Sequence, residues 1–187
     1  MILGGVHTVA CLTEAVGTPV LGTSLVEEQS GHTRSGEGWP SPRRQKNVQG
    51  DDKRPLVLVV EDNRADVFLV QRAVEIHHLS VQLLVLDNGE EALDYFEHAD
   101  ADPNMSCPDV VLLDLNLPKK SGREVLQRVK AGGRCKDVPV IILTSSDAPE
   151  DRRETAALGA RHYFKKPTSY QEFLKIGELL GEVLRED

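Results

Sequence analysis

Five polar side chains follow or end apolar runs in this sequence, and their types suit metal and phosphate chemistry. Two acids, Glu61 and Asp62, follow one run, and a third acid, Asp114, follows another. A hydroxyl, Thr144, and an ammonium, Lys166, come at the ends of two later runs. If the acids meet, each pair at 4 Å repels by about 4 kcal/mol at an effective dielectric of 20. Such a cluster needs a cation, and oxygen-only ligands favour Mg²⁺ over zinc.

The apolar runs themselves predict five strands. Continuous apolar runs of this length, bounded by turn signals, are typical of strands that are buried on both faces of a sheet. The runs are PLVLVV (55–60), VQLLVL (81–86), PDVVLLDL (108–115), VPVIILTSS (138–146) and RHYF (161–164).

Helical signals lie between and after these strands. Valines recur at helical spacing in residues 65–75, and a short helix from about Pro149 can end at Gly159. Two capping signals, each a polar residue with glutamate three positions later, predict helix starts at Asn88 with Glu91 and at Ser121 with Glu124. The last helix is expected to bury Phe173, Ile176, Leu180 and Val183.

This alternation of strand and helix, five times over, predicts an α/β fold. Parallel neighbours need crossover connections, so we expect a parallel sheet with helices on both faces. The carboxyl ends of parallel strands lie at one edge of the sheet, where ligands bind. We therefore expect the five polar side chains to meet there. A domain of residues 55–187 is large enough to fold without metal or disulfide staples.

The first 54 residues differ in character from the rest of the chain. They hold eight of the 15 glycines and show no sustained strand or helix period, which predicts disorder over residues 1–54. They also hold six basic and six acidic residues, so the whole net charge of −8 belongs to residues 55–187. An acidic domain is a poor candidate for nucleic-acid binding, because that affinity comes largely from Lys and Arg.

Other sequence features favour a cytoplasmic protein. No stretch approaches the roughly 20 apolar residues of a membrane span. A secretory signal is rejected because the first basic residue is Arg34. The three cysteines, Cys11, Cys107 and Cys135, share no metal-ligand spacing and are interpreted as reduced thiols.

Four segments, in their order and spacing, resemble the receiver domain of two-component response regulators: VLVVEDN, LLDLNLP, ILTSS and FKKP. The resemblance covers residues 56–187 and implies a flavodoxin-like receiver fold with strand order 2-1-3-4-5. A longer stretch, LLDLNLPKKSGREVL, and the loop HADADPNMSCPD resemble small stand-alone regulators that partner phytochrome-type histidine kinases.

The resemblance implies a role for each acid. Asp114 would accept a phosphoryl group from a phosphohistidine on a sensor histidine kinase. Glu61 and Asp62 would hold Mg²⁺, together with an Asp114 oxygen and the backbone carbonyl of Asn116. Phosphoryl transfer needs charge neutralisation and in-line placement more than covalent help, which agrees with this set of residues.

The resemblance also implies how the signal leaves the site. Thr144 and Lys166 would move towards the phosphoryl oxygens, and Tyr163 would fill the space that Thr144 vacates. The resemblance also implies a cis peptide bond between Lys166 and Pro167, as in the family. The free-energy cost of a cis bond is small only before proline. The changing surface would be the fourth helix, fifth strand and fifth helix, roughly residues 149–185. The expected output is contact with proteins, a homodimer among them, rather than binding to DNA or a membrane.

Two alternatives remain beside this interpretation. An enzyme of the haloacid-dehalogenase type also phosphorylates an aspartate after a strand, but it needs a second acid two residues later. This chain has Asn116 there, which favours a phosphoacceptor over an enzyme acting on external substrates. A receiver-like docking module that takes no phosphate is the second alternative, and the complete set of pocket residues argues against it.

Overall fold

A computed structural model describes residues 7–9 and 54–186 of the chain. Its strands are β1 His7–Val9, β2 Leu56–Val60, β3 Gln82–Leu86, β4 Val110–Leu113, β5 Val140–Thr144 and β6 His162–Lys165. Its helices are α1 Arg64–Ile76, α2 Gly89–Ala101, α3 Gly122–Lys130, α4 Pro149–Ala157, α5 Tyr170–Phe173 and α6 Lys175–Glu186. Within these residues no helix has the length and apolar character needed to cross a bilayer.

The sheet has the order β1-β3-β2-β4-β5-β6, and β2 to β6 pair with one another in parallel. This confirms the predicted α/β fold and the strand order 2-1-3-4-5, counted from the first predicted strand. Each crossover between parallel neighbours contains a helix, as the geometry of parallel pairing requires. The carboxyl ends of β2, β4, β5 and β6 consequently lie along one edge.

Helices cover both faces of this sheet. Val57 and Val59 of β2 belong to a buried core that also contains Val70 of α1 and Leu180 of α6. Leu58 and Val60 alternate with them, are fully buried and point to the opposite face, because successive strand residues do so. The four residues predicted to be buried in the last helix are all at most 2% exposed: Phe173, Ile176, Leu180 and Val183. Leu174 divides that predicted helix into α5 and α6.

The predicted capping signals form as expected. The Asn88 side chain accepts a hydrogen bond from the Glu91 N–H at 2.9 Å. Ser121 and Glu124 make a reciprocal capping box at the start of α3, which satisfies two backbone N–H groups. Gly159 follows α4 with φ of 92°, a left-handed conformation that suits glycine and ends the helix.

Strand β1 corrects part of the prediction of disorder. Residues 7–9 pair antiparallel with β3, with His7 opposite Val85 and Val9 opposite Leu83. Without β1, one side of β3 would present unpaired backbone N–H and C=O groups, which are a template for a further strand. Hydrophobic periodicity cannot detect a three-residue strand of this kind. The rest of the segment predicted to be disordered lies outside the described residues, apart from Arg54.

Two further expectations are wrong. Cys107 and Cys135 are not reduced thiols: they form a disulfide with a Cα–Cα distance of 5.4 Å. Each cysteine precedes one of two neighbouring parallel strands, β4 and β5, so pairing of the strands places the preceding loops side by side. The Lys166–Pro167 bond is trans rather than cis. Trans is the more stable form of an X-Pro bond by about 0.5–1 kcal/mol.

Candidate functional site

The predicted site residues lie at the carboxyl edge of the parallel sheet, where Glu61, Asp114 and Lys166 are in direct contact. Hydrogen bonds of the sheet type extend to their backbones: the N–H of Glu61 donates to Leu86, and that of Asp114 donates to Val60, at 2.9 and 3.0 Å. Glu61 and Asp114 are only 2% and 5% exposed, although both are acids. The buried strands therefore hold two carboxylates in a largely dehydrated position.

Lys166 binds the buried carboxylates directly. Its Nζ lies 2.6 Å from Oε2 of Glu61 and 2.6 Å from Oδ2 of Asp114. A third carboxylate, Asp66, accepts from the same ammonium at 2.9 Å. Asp66 was not among the site residues predicted from the sequence. It lies in the first turn of α1, and an acid in the first turn of a helix that follows a site strand was the available signal.

Three acids form a cluster that can hold a metal ion. One carboxylate oxygen from each of Glu61, Asp62 and Asp114 lies within 4.8 Å of the others. Asp62 is exposed and opens the cluster to solvent, whereas the other two are buried. We call these three acids together with Lys166 the acidic site. An oxygen-only donor set of this kind fits Mg²⁺ or Mn²⁺ better than zinc.

Burial and neighbouring charges shift the pKa values of an acid and of a base in the acidic site. Burial raises the pKa of Glu61 to about 7, with the Asp114 charge adding to the rise and Lys166 opposing it. Burial alone would lower the pKa of Lys166, but hydrogen bonds to Asp114, Glu61 and Asp66 outweigh it and raise the pKa. Lys166 therefore keeps its charge, and Glu61 gains or loses a proton near neutral pH.

The loop after β4 is tightly packed around Asp114. The N–H of Asn116 donates to Oδ1 of Asp114 at 3.0 Å, so the two carboxylate oxygens bind different partners. A Cβ on Gly122 would lie 2.0 Å from the Asp114 backbone oxygen, closer than any real contact. Gly122 is therefore required for the approach of α3 to this loop. Asn116 itself is exposed.

Thr144 and Tyr163 are connected through Ser146. The hydroxyl oxygen of Thr144 accepts from the Ser146 N–H at 3.2 Å. The Tyr163 hydroxyl donates to the Ser146 carbonyl oxygen at 3.1 Å. The guanidinium of Arg152 in α4 lies 4.7 Å from the centre of the Tyr163 ring, within range of a cation–π contact. Ser146 was not singled out from the sequence, and its only signal was its position two residues after Thr144.

An ionic bridge connects α3 to α4 beside these residues. Arg123 pairs with Asp151, and its Nε lies 3.0 Å from Oε2 of Glu154. The Ser146 hydroxyl donates to the same Asp151 carboxylate. We call Arg123, Asp151 and Glu154 the α3–α4 bridge. It joins the backbone segment that contacts Thr144 and Tyr163 to two helices.

A family model and several known proteins match most of this chain. A family model described as Response regulator receiver domain matches residues 57–177. The probable methanogenesis regulatory protein FilR2 of Methanothrix harundinacea is 35% identical over 127 residues, which are 68% of this chain and 81% of the relative. Response regulator Rcp1 of Synechocystis sp. is 34% identical over 128 residues, covering 67% of this chain and 87% of the relative.

Two crystal structures are similar in three dimensions as well. The phosphorylated cyanobacterial phytochrome response regulator RcpA matches with a TM-score of 0.64 at 32% identity, covering 71% of this chain and 94% of that one. The Mn²⁺-bound form of response regulator Rcp1 matches with a TM-score of 0.62 at 32% identity, covering 68% and 92%.

Proposed function

Because the chain belongs to the response regulator receiver family, we propose that Asp114 accepts a phosphoryl group from a phosphohistidine of a sensor histidine kinase. The observation that carries this proposal is the position of Asp114. Its carboxylate is 5% exposed, lies at the end of a buried strand and has Lys166 Nζ at 2.6 Å from one oxygen. The bond between phosphorus and the imidazole nitrogen breaks as an Asp114 oxygen bonds to phosphorus, and the imidazole leaves.

The ligands of the divalent ion would be Glu61, Asp62, an Asp114 oxygen and the Asn116 backbone carbonyl. The first three already place oxygens within 4.8 Å of one another, which supports this assignment. The bound ion would neutralise charge on the phosphoryl oxygens during transfer. We propose Mg²⁺ as the natural ion. The Mn²⁺-bound form of Rcp1 supports a divalent ion in this family without distinguishing the two.

Lys166 and Thr144 would bind the transferred group. The Lys166 ammonium is now paired with Asp114. It would bind a phosphoryl oxygen instead once Asp114 is esterified, because the negative charge then lies on the phosphoryl oxygens. The Thr144 hydroxyl would donate to a second phosphoryl oxygen, and the hydrogen bond that it accepts from the Ser146 N–H would break as the side chain moves. The Tyr163 side chain would then move into the space that Thr144 leaves, and its hydrogen bond to the Ser146 carbonyl would break. The surface of α4, β6 and α6, within residues 149–185, would carry the change to a partner.

The partners follow from the relatives and from charge. RcpA is a phytochrome response regulator, so a phytochrome-type kinase is our proposed donor. We further propose a cytoplasmic protein that signals through protein contacts, a homodimer included, and does not catalyse turnover of external substrates. The net charge of −8 weighs against nucleic acid and anionic membranes as targets.

Phosphoryl transfer to Asp114 is tested with sensor kinases autophosphorylated on histidine with radiolabelled ATP. We expect Mg²⁺-dependent transfer of label to the parent chain and at least a hundredfold less label on Asp114→Asn. Asp94→Asn, which changes an exposed aspartate of α2, is the matched control and should label normally. Equal labelling of Asp114→Asn and the parent would exclude the proposed acceptor.

Beryllofluoride titration distinguishes a phosphoacceptor from a docking module that takes no phosphate. Beryllofluoride with Mg²⁺ mimics an aspartyl phosphate, so saturable NMR shifts at Thr144 and Tyr163 are expected in the parent and not in Asp114→Asn. A module that takes no phosphate would show no shifts in either protein. Hydrolysis of generic phosphomonoesters by the parent would instead favour the dehalogenase-type alternative.

A further inference from the structure

Among the described residues, a second chemical site lies at the opposite edge of the sheet from the acidic site. Cys107 precedes β4 and Cys135 precedes β5, whereas Asp114 follows β4. We propose that the Cys107–Cys135 disulfide is a reversible redox site that exchanges with dithiols such as those of a dithiol oxidoreductase. The loops it joins stay docked in both redox states, because Arg134 clamps them independently.

The two cysteines differ in exposure, which favours attack on one of them. Cys135 is 3% exposed, whereas Cys107 is partly exposed. We therefore expect an incoming thiolate to attack Cys107, because thiol–disulfide exchange depends on access to the attacked sulfur. The disulfide joins residues 28 apart in sequence, so it closes a loop that includes all of β4 and α3.

The exchange balances in two steps. A thiolate of the dithiol attacks Cys107 Sγ, the disulfide breaks, and Cys135 leaves as a thiolate that takes up a proton. The second thiol of the reductant, as a thiolate, then attacks the reductant's first sulfur in the mixed disulfide, and Cys107 leaves as a thiolate that also takes up a proton. Two electrons and two protons pass from the dithiol to the cysteine pair, and the reductant ends as a disulfide.

Arg134, next to Cys135, binds the loop that contains Cys107 without any covalent bond. Its Nη1 donates to the carbonyls of Ala99, Asp102 and Met105 at 2.6, 2.9 and 3.1 Å. Its Nη2 donates to the carbonyl of Pro103 at 3.3 Å. We call these bonds the Arg134 clamp. It satisfies carbonyls at and beyond the end of α2, which would otherwise need water or another donor.

The backbone on both sides of the disulfide supports the clamp. The Arg134 N–H donates to Asp100 Oδ1 at 2.7 Å, and Arg128 pairs with Asp100 Oδ2 at 2.8 Å. A Cβ on Gly133 would lie 2.3 Å from the Asp100 carboxylate, so glycine permits this approach. The Tyr95 hydroxyl donates to the carbonyl of Ser106, next to Cys107, at 3.0 Å. All these bonds survive reduction, so the reduced chain keeps its fold.

The redox site is tested on the full chain by native thiol labelling. The protein is first oxidised with glutathione disulfide, then treated with dithiothreitol without denaturant, tagged with a maleimide and mapped by mass spectrometry. We expect the maleimide to label neither Cys107 nor Cys135 before reduction and to label both after it. The far-UV circular dichroism spectrum should not change. Cys11→Ser controls for the third cysteine and should behave as the parent.

Two labelling results would overturn the redox site. One is free Cys107 and Cys135 thiols in the oxidised sample, which would mean that the bond does not form. The other is a disulfide that dithiothreitol reaches only in denaturant, which would make it a static structural bond rather than an exchanging one.

The Arg134 clamp is tested by thermal unfolding in both redox states. Reduction alone should lower the Tm by about 10 °C, since a closed loop of this size is lost from the unfolded state. Reduction of the Arg134→Ala variant should lower its Tm by clearly more than reduction of the parent does. The reason is that the disulfide and the Arg134 clamp hold the same loop. Arg161→Ala, which removes an ion pair with Glu186 elsewhere, is the control and should add independently. Additive losses for Arg134→Ala would overturn the clamp.

Discussion

At the scale of single residues, Lys166 balances the charge of the acidic site. Its side chain is 10% exposed and contacts three carboxylates, of which the side chain of Glu61 is 1% exposed. Removing one partner of a buried pair leaves an uncompensated charge, which costs more than the pair itself contributes. The ammonium is thus a structural counterion before any phosphoryl group arrives. A divalent ion bound to the same acids would share that role.

Replacing Lys166 tests this balance. Lys166→Met keeps most of the side-chain volume and should lower the free energy of unfolding by about 3 kcal/mol at pH 8 without metal, because the acids repel one another. Saturating Mg²⁺ should restore much of the loss, since it binds the folded state. Urea unfolding with a chelator and with Mg²⁺ measures both effects.

Lys165→Met is the matched control for this experiment. Lys165 is exposed and pairs with Asp147, whose side chain is 78% exposed, so its loss should cost under about 1 kcal/mol. If Lys166→Met were as stable as Lys165→Met in the absence of metal, the role of Lys166 as a counterion would be wrong.

At the scale of elements, α4 differs from the other long helices of the described domain. Thr155 is its one buried residue, whereas α3, of equal length, buries Val125, Leu126 and Val129. Hydrophobic packing therefore holds α4 weakly, and the α3–α4 bridge is a polar contact that fastens it to α3. Elements with few buried apolar contacts open at low free energy. This weak attachment suits a surface that is proposed to change on phosphorylation.

Loss of the bridge should loosen α4 selectively. Arg123→Ala removes the pairs with Asp151 and Glu154, and we expect amide hydrogen exchange in residues 149–157 to become at least fivefold faster. Exchange in α1 should not change. Arg153→Ala, which changes an exposed arginine within α4, is the control and should leave exchange in α4 near that of the parent. Equal acceleration in both variants would mean that helix charge, not the bridge, holds α4.

At the scale of the whole molecule, the acidic site makes folding depend on pH and metal. The pKa of Glu61 is raised from 4.5 to about 7 on folding, chiefly by burial. The folded chain therefore binds a proton that the unfolded chain releases between these values. Stability from this group is fully present below pH 4.5 and is lost as the pH rises through 7. Mg²⁺ acts in the opposite sense, because it binds the deprotonated site.

Comparison with Glu61→Gln isolates this effect. Without metal, the stability of the parent relative to Glu61→Gln should fall between pH 5 and pH 8, by an amount on the order of 3 kcal/mol. The stabilisation of the parent by Mg²⁺ should grow over the same interval and be nearly absent in Glu61→Gln. Urea unfolding at several pH values measures both trends. A difference between the two proteins that does not vary with pH would contradict the proposed titration.

The amino-acid sequence by itself determined the α/β alternation, the capping of α2 and α3 and the placement of Glu61, Asp62, Asp114, Thr144 and Lys166 along one edge of the sheet. These are consequences of local pattern and of one geometric rule. Apolar runs define buried strands, and parallel pairing puts all their carboxyl ends on one side. The strand order needed the family resemblance in addition.

Only the tertiary structure decided which side chains touch. Asp66 joins Lys166, Ser146 connects Thr144 to Tyr163, and Cys107 reaches Cys135. Each contact depends on which loops lie side by side and where their side chains point. Those directions are set by sheet pairing and helix packing between residues distant in sequence, which local periodicity does not encode. For the same reason β1 and the trans bond before Pro167 emerged only from the folded chain.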